Sequence, residues 1–159
     1  MKNKAILTKK HTIIEIVSFA IMLAALIIGI IVCASGKEIP IHFDIEGNVT
    51  EYGSGGSVLI LPIIMLLTNV IMCLILRCLP FSCWNMPVKV KPEREVIVYG
   101  CVGYMHVVME LLFSLFTLFF SIFMLSGNEA AMNISAILLV ISVFVDIILG
   151  IIFTIKKNA

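Results

Sequence analysis

HTIIEIVSFAIMLAALIIGIIVCA, from His11 to Ala34, is the stretch that decides the class of this chain. It contains one acid, Glu15, and neither lysine nor arginine. A helix needs about 20 predominantly apolar residues to cross a hydrocarbon core, and this run supplies them. Ile and Val are frequent, yet the apolar and polar residues do not alternate as they do along a lipid-facing barrel strand. A helix also satisfies its own backbone where no water is present. Lys2, Lys4, Lys9 and Lys10 precede the run, as basic residues precede a secretory signal. Its apolar core exceeds the roughly 7 to 15 residues of such a signal, and Cys33 lacks the small preceding residue of a lipobox. A retained transmembrane helix is expected.

Working outward, three further runs have the same character, and the expected spans are about 11–34, 57–79, 97–125 and 133–155. Hydrophobic residues make up 61% of the 159 and charged ones only 13%, a balance outside the usual soluble range. The fold class expected is an all-α membrane protein: one four-transmembrane-helix bundle over residues 1–159, with a short hairpin-like loop between helices 1 and 2.

The formal net charge of +1 hides an asymmetry. Lys2, Lys4, Lys9, Lys10, Arg77, Lys89, Lys91, Arg94, Lys156 and Lys157 fall in the tails and the second loop, and Lys37 alone falls elsewhere. Cytoplasmic loops carry the excess of Lys and Arg. That rule places both termini and the second loop in the cytoplasm, and leaves the 39–55 stretch and the SGNEAAM turn outside a plasma membrane. Cys73, Cys78, Cys83 and Cys101 lie toward the cytoplasmic half and Cys33 toward the outer surface, so no disulfide is implied. Their spacing is not that of a zinc site, and buried, inert thiols are expected.

The second loop, LPFSCWNMPVKVKPERE, carries Pro80, Pro87 and Pro92, which break helices, and Trp84, suited to the headgroup zone. It is expected to lie along the inner membrane surface, where Lys89, Lys91 and Arg94 suit anionic lipid or an acidic partner. In the first loop, IPIHFDIEGNVTEYGSG, Ile41 and Phe43 alternate with His42 and Asp44, and Glu46-Gly47-Asn48 supplies turn chemistry. A short hairpin is expected. Gly53, Ser54, Gly55 and Gly56 then allow a sharp bend into the second span, with Ser57 as its expected cap.

Polar and small residues recur within the spans at helical spacing. Helix 3 has Gly103, His106, Glu110, Ser114, Thr117 and Ser121; helix 4 has Ser135, Ser142, Asp146 and Gly150. Helix 1 has Glu15, Ser18, Ala25 and Gly29, and helix 2 has Pro62, Asn69 and Cys73. Residues three and four apart share a face, and helices in lipid associate through small residues and hydrogen bonds. A bundle with a polar interior follows. At about 1.5 Å per residue, Asn69, Glu110 and Asp146 reach similar depths near the bilayer centre. An ionised carboxylate there costs at least about 2.5 kcal/mol on insertion scales, so at least one of the two acids is expected to carry a proton at neutral pH. His106 is the basic partner the helix 3 stripe offers.

His106, Glu110 and Asp146 together have the residue types of a metal site, and His42, Asp44, Glu46 and Glu51 form a second oxygen- and imidazole-rich group. A hydrogen-bonded core and a solvated hairpin account for both without a metal, and no cofactor is expected. No zincin motif, activated Ser or Cys, or phosphate-binding glycine loop is present, so no catalytic residue is assigned. Asn48-Val49-Thr50 and Asn133-Ile134-Ser135 are formal glycosylation triplets with no role assigned.

The run I39-P40-I41-H42-F43, then G47, then Y52-G53-S54 and L61-P62, resembles the SdpI-related family of small prokaryotic membrane proteins of unknown function. The resemblance spans Ile39 to about Pro62. It implies a prokaryotic plasma-membrane protein, in some members one that protects the producing cell from a secreted toxic peptide and signals to a membrane-sequestered repressor. Pro40, His42, Phe43, Asp44, Gly47, Tyr52, Gly53 and Ser54 are the motif positions carried over. Two positions depart from the pattern: Thr50 stands where an acid is usual, with Glu51 displaced by one, and Gly55 replaces the usual Lys.

The expectation is a non-enzymatic polytopic protein that senses or sequesters an extracellular peptide or other ligand through the hairpin. The alternative is a proton- or cation-coupled transporter or transporter subunit using Glu110 and Asp146. Expected partners are the lipid bilayer, an extracellular peptide, and a cytoplasmic regulator or further membrane subunit; no feature points to nucleic acid.

Overall fold

The computed structural model describes residues 6–44, 46, 48–126 and 129–159, and the side chains of all of these except 129–132. Four long helices and one two-stranded sheet make up the fold: α1 (Lys9–Ala34), β1 (Glu38–Phe43), β2 (Val49–Ser54), α2 (Ile60–Cys78), α3 (Glu95–Ser126) and α4 (Glu129–Asn158). A 3-10 turn, Gly55–Leu59, joins β2 to α2. Each helix is long and apolar enough to cross a membrane, with spans Lys9–Ala34, Gly55–Cys78, Pro92–Ser126 and Asn133–Asn158. The chain is a polytopic membrane protein of the all-α class, and its only sheet among the described residues is the hairpin β1-β2.

The helix ends differ from the expected ones where local chemistry extends them. Pro92 opens a 3-10 turn, Pro92–Arg94, that runs directly into α3, because a proline at the first turn lacks only an N–H that has no partner there. At the far end of α4, Lys156 and Lys157 occupy the last turn, where positive charge complements the helix dipole. The expected SGNEAAM turn includes residues 127 and 128, which lie outside the described set, and α4 is already helical at Glu129.

Polar and small residues share the protein interior with a few large apolar ones, while most of the aliphatic side chains face outward. On α1 the buried residues are His11, Glu15, Ser18, Met22, Ala25, Gly29 and Val32, one stripe at spacings of three and four. Ile13, Ile16, Leu23, Ile27 and Ile30 of the same helix are more than half exposed, a surface for acyl chains. α1 packs along α3, α2 lies against both, and α4 leans chiefly on α3. None of the most apolar stretch of α4 is fully buried.

The loop between α2 and α3 does more than skirt the surface. Asn85, Met86 and Pro87 close one end of a cleft formed with Gly150, Ile151 and Thr154 of α4. Asn158 then clasps the loop, its Oδ1 accepting from Lys91 N and its Nδ2 donating to Lys89 O, both at 3.0 Å. Trp84 stacks over His106 and meets Tyr99 edge-on, each ring centroid 6.0 Å away. All five cysteines are free, and Cys78 and Cys83 are exposed rather than buried.

Candidate functional sites: the hairpin and the intramembrane polar core

The hairpin is seated on a small apolar cluster at one end of the bundle. Val32 of α1, Ile39 of β1, Val58 of the 3-10 turn and Met124 of α3 form its buried centre, and Ile41 and Phe43 pack against it. Two irregularities set the register. Pro40 pairs with Tyr52 and His42 with Glu51, so Ile41 bulges from β1; Phe43 pairs with Val49, so Thr50 bulges from β2. A bulge adds an unpaired residue and re-aims its neighbours. With Ile41 and Thr50 both out of the pairing, Glu51 stands opposite His42, with His42 Nε2 to Glu51 Oε2 at 3.6 Å.

Several motif residues are occupied in holding this shape. Asp44 organises the tip, its Oδ1 accepting from Glu46 N at 2.9 Å and Asn48 N at 2.8 Å, and its Oδ2 from Asn48 Nδ2 at 2.9 Å. Ser54 accepts from Gly56 N and caps the 3-10 turn, the role expected of Ser57. A Cβ on Gly53 would lie 2.8 Å from Ile41 Cδ1, and one on Gly55 2.7 Å from Lys37 O. Both glycines are therefore close-approach positions for a neighbouring chain segment. Pro40 and Phe43 are half-buried. His42 and Glu51 remain exposed, and Tyr52 is 53% exposed. Gly47 lies outside the described residues.

The second constellation is the polar interior between α1, α2 and α3. Asn69 Nδ2 donates to Ser114 Oγ at 2.8 Å, and Ser114 Oγ donates in turn to Glu110 O at 2.8 Å. This relay orients the Asn69 amide, because the Ser114 proton is committed to the Glu110 carbonyl and its oxygen is left to accept. Asn69 Oδ1 and both Glu110 carboxyl oxygens are buried with no hydrogen-bond partner. Thr117 and Ser121 continue the buried stripe along α3.

Nearer the other end of the bundle, Glu15 of α1 pairs with Arg77 of α2. Arg77 Nε donates to Glu15 Oε1 at 3.2 Å, Nη2 donates to Glu15 Oε2, and Nη2 also reaches Thr12 Oγ1 at 3.2 Å. The side chains are 23% and 4% exposed, for Arg77 and Glu15 respectively. Such a two-point contact is the strong form of an Arg–carboxylate pair. Arg77 is thus a partner of the polar core as well as a marker of charge asymmetry. Its spacing to Asn69 and Cys73, two successive steps of four, was the available signal.

His11 is the other residue the stripe reading overlooked, although it continues the Glu15 and Ser18 spacing. Its Nδ1 accepts the Thr8 N–H at 3.0 Å, which leaves Nε2 to donate to Gly100 O at 3.3 Å. A Cβ on Gly103 would lie 3.1 Å from His11 Nε2, so the glycine makes room for the ring. His106 turns elsewhere, its Nδ1 bonding Val102 O at 3.0 Å and its ring facing Trp84. Among the described residues no three His, Cys, Asp or Glu side chains gather closely enough to hold a metal.

Asp146 does not share the Glu110 site. It lines a cleft with Cys101, Met105 and Val108 of α3, whereas Glu110 belongs to the buried face with Ser114 and Thr117. At 3.6 residues per turn, Val108 lies about 160° around the helix from Glu110. Asn69 and Glu110 meet; Asp146 is on the other side of α3.

A family model, the domain of unknown function DUF1648, matches residues 20–66. That segment runs from the middle of α1 through the hairpin and 3-10 turn into the start of α2. No curated protein and no solved structure matches the chain. Over residues 20–66, then, the chain is similar to a domain whose function is itself unassigned.

Proposed function

We propose that this chain is a non-enzymatic receptor-like protein of the plasma membrane that senses or sequesters an extracellular peptide in an immunity or signalling role. One observation carries the reading: on the hairpin His42, Glu51 and Tyr52 are exposed, with His42 and Glu51 facing each other across the strands at 3.6 Å and Tyr52 next along β2, opposite Pro40. An exposed amphipathic ring on the same hairpin as a facing imidazole and carboxylate suits a peptide backbone and its charged groups. The resemblance to the SdpI-related family supports the immunity element. The described lysines and arginines other than Lys37 lie in or next to helix ends and the loop remote from the hairpin, which supports an outward-facing hairpin and cytoplasmic termini. Seating on Val32, Val58 and Met124 gives a bound ligand a route to α1, α2 and α3, and from there to a cytoplasmic regulator or another membrane subunit.

Cells carrying the parent chain or the double variant His42→Ala/Tyr52→Ala, matched for membrane abundance, are challenged with membrane-active toxic peptides. Protection by the parent and its loss in the variant is expected. Equal tolerance of the two strains, or no protection by the parent, refutes the reading.

A second reading, proton- or cation-coupled transport, is favoured by the Glu110 carboxyl oxygens, buried without a hydrogen-bond partner in the polar interior. Because Asp146 lies across α3, a relay through Glu110 would run on the interior face it shares with Asn69 and the Glu15–Arg77 pair, without Asp146. Flux in proteoliposomes that is unchanged by Glu110→Gln would remove this reading.

A further inference from the structure

We propose that the cleft between α3 and α4 is a binding site, entered sideways from the bilayer, for an amphiphilic amine: a ligand with one positively charged nitrogen and an apolar body. This inference is independent of the hairpin reading. Tyr104, Met105 and Val108 of α3 face Asp146, Gly150 and Phe153 of α4 across about 430 Å³. That volume falls within the roughly 300 to 1,000 Å³ of small-molecule sites. Gly150 shapes the floor, since a Cβ there would lie 2.7 Å from Met105 Sδ; the missing side chain lets the thioether lie against the α4 backbone. On the open side, Leu149 and Phe153 are about half exposed, so the mouth faces hydrocarbon.

The chemistry of the ligand follows from the single acid. Asp146 Oδ2 is shut off from solvent and has no hydrogen-bond partner. Lys156 and Lys157, the cations of its own helix, sit about 15 Å further along α4 at 1.5 Å per residue. A carboxylate stranded in an apolar wall calls for a donor or a counter-charge. A hard metal ion needs about six oxygen ligands, and besides Asp146 the lining side chains offer only the Cys101 thiol and the Tyr104 hydroxyl as polar groups. An ammonium needs one carboxylate, and Phe153, half exposed at the mouth, adds an aromatic ring to the same lining. Met105 adapts to a flexible apolar body.

The test uses the full chain in lipid nanodiscs and two photoreactive probes of equal chain length, dodecylammonium and dodecanol, each with a diazirine in the chain. Crosslinking followed by peptide mass spectrometry is expected to place dodecylammonium on residues 101–108 and 146–153. Labelling there falls about tenfold or more in Asp146→Asn, from loss of a desolvated cation contact, and also in Val108→Phe, which narrows the cleft without touching the acid. Equal labelling of parent and both variants overturns the proposal. So does equal labelling by the alcohol, which would make the cleft a lipid groove, or crosslinking of these residues to a second copy of the chain in place of the probe.

Discussion

Glu15 and Arg77 can be removed singly or together, and the structure dictates different costs. Arg77→Met strands a carboxylate that is 4% exposed, whereas Glu15→Leu strands a guanidinium at the last turn of α2 that keeps its bond to Thr12 and can extend toward the interface. Breaking a buried pair from one side costs about 3–5 kcal/mol. Arg77→Met is therefore expected near the top of that range and Glu15→Leu at or below its foot. Replacing both with apolar residues of similar volume is often close to neutral, so the double variant should unfold within about 1–2 kcal/mol of the parent. The coupling then comes to several kcal/mol, against the few tenths expected of independent sites. Reversible unfolding in mixed micelles containing sodium dodecyl sulfate, followed by circular dichroism, measures all four forms. Additive single and double effects, or a larger cost for Glu15→Leu than for Arg77→Met, would refute the argument.

Other substitutions test neighbouring contacts. Gly103→Ala should cost about 1–3 kcal/mol as an overpacked site, because its Cβ meets the His11 ring at 3.1 and 3.4 Å; adding His11→Ala should recover part of that loss in the same unfolding assay. Gly55→Ala, whose Cβ meets Lys37 O at 2.7 Å, should lower hairpin amide-exchange protection far more than Gly53→Ala, whose nearest neighbour is the flexible end of Ile41; the opposite order would contradict the described seat. Asp44→Ala removes three acceptor contacts at the hairpin tip, and should increase exchange at Glu46 and Asn48 while leaving α1 unchanged.

The helical class was legible in the residues because lipid leaves few alternatives: backbone groups without water must bond within a helix. The stripe Glu15, Ser18, Ala25, Gly29 was legible for a similar reason, as small and polar groups gain contacts by facing inward. Arg77 was harder to read, since a cation near a helix end meets the positive-inside pattern whether or not an acid 62 positions earlier holds it. Rise per residue gave Asn69, Glu110 and Asp146 a common height but not their directions around the helices. The supports of the neighbouring helices supply those directions, and they separate Asp146 from the other two. In the hairpin, alternation announced two strands, while the bulges at Ile41 and Thr50 arise from the seat on the bundle and the closed tip.

Because α4 leans chiefly on α3, most of its circumference is left to surrounding lipid. A rod held along one flank acts like an outrigger, with its remaining aliphatic side chains left to the acyl chains. Thinning the bilayer tilts such a rod to match the hydrocarbon thickness, while the Asn158 clasp holds its base. The seam beside Asp146 runs along that one supported flank, so any tilt of α4 about its clasped base would be felt there first.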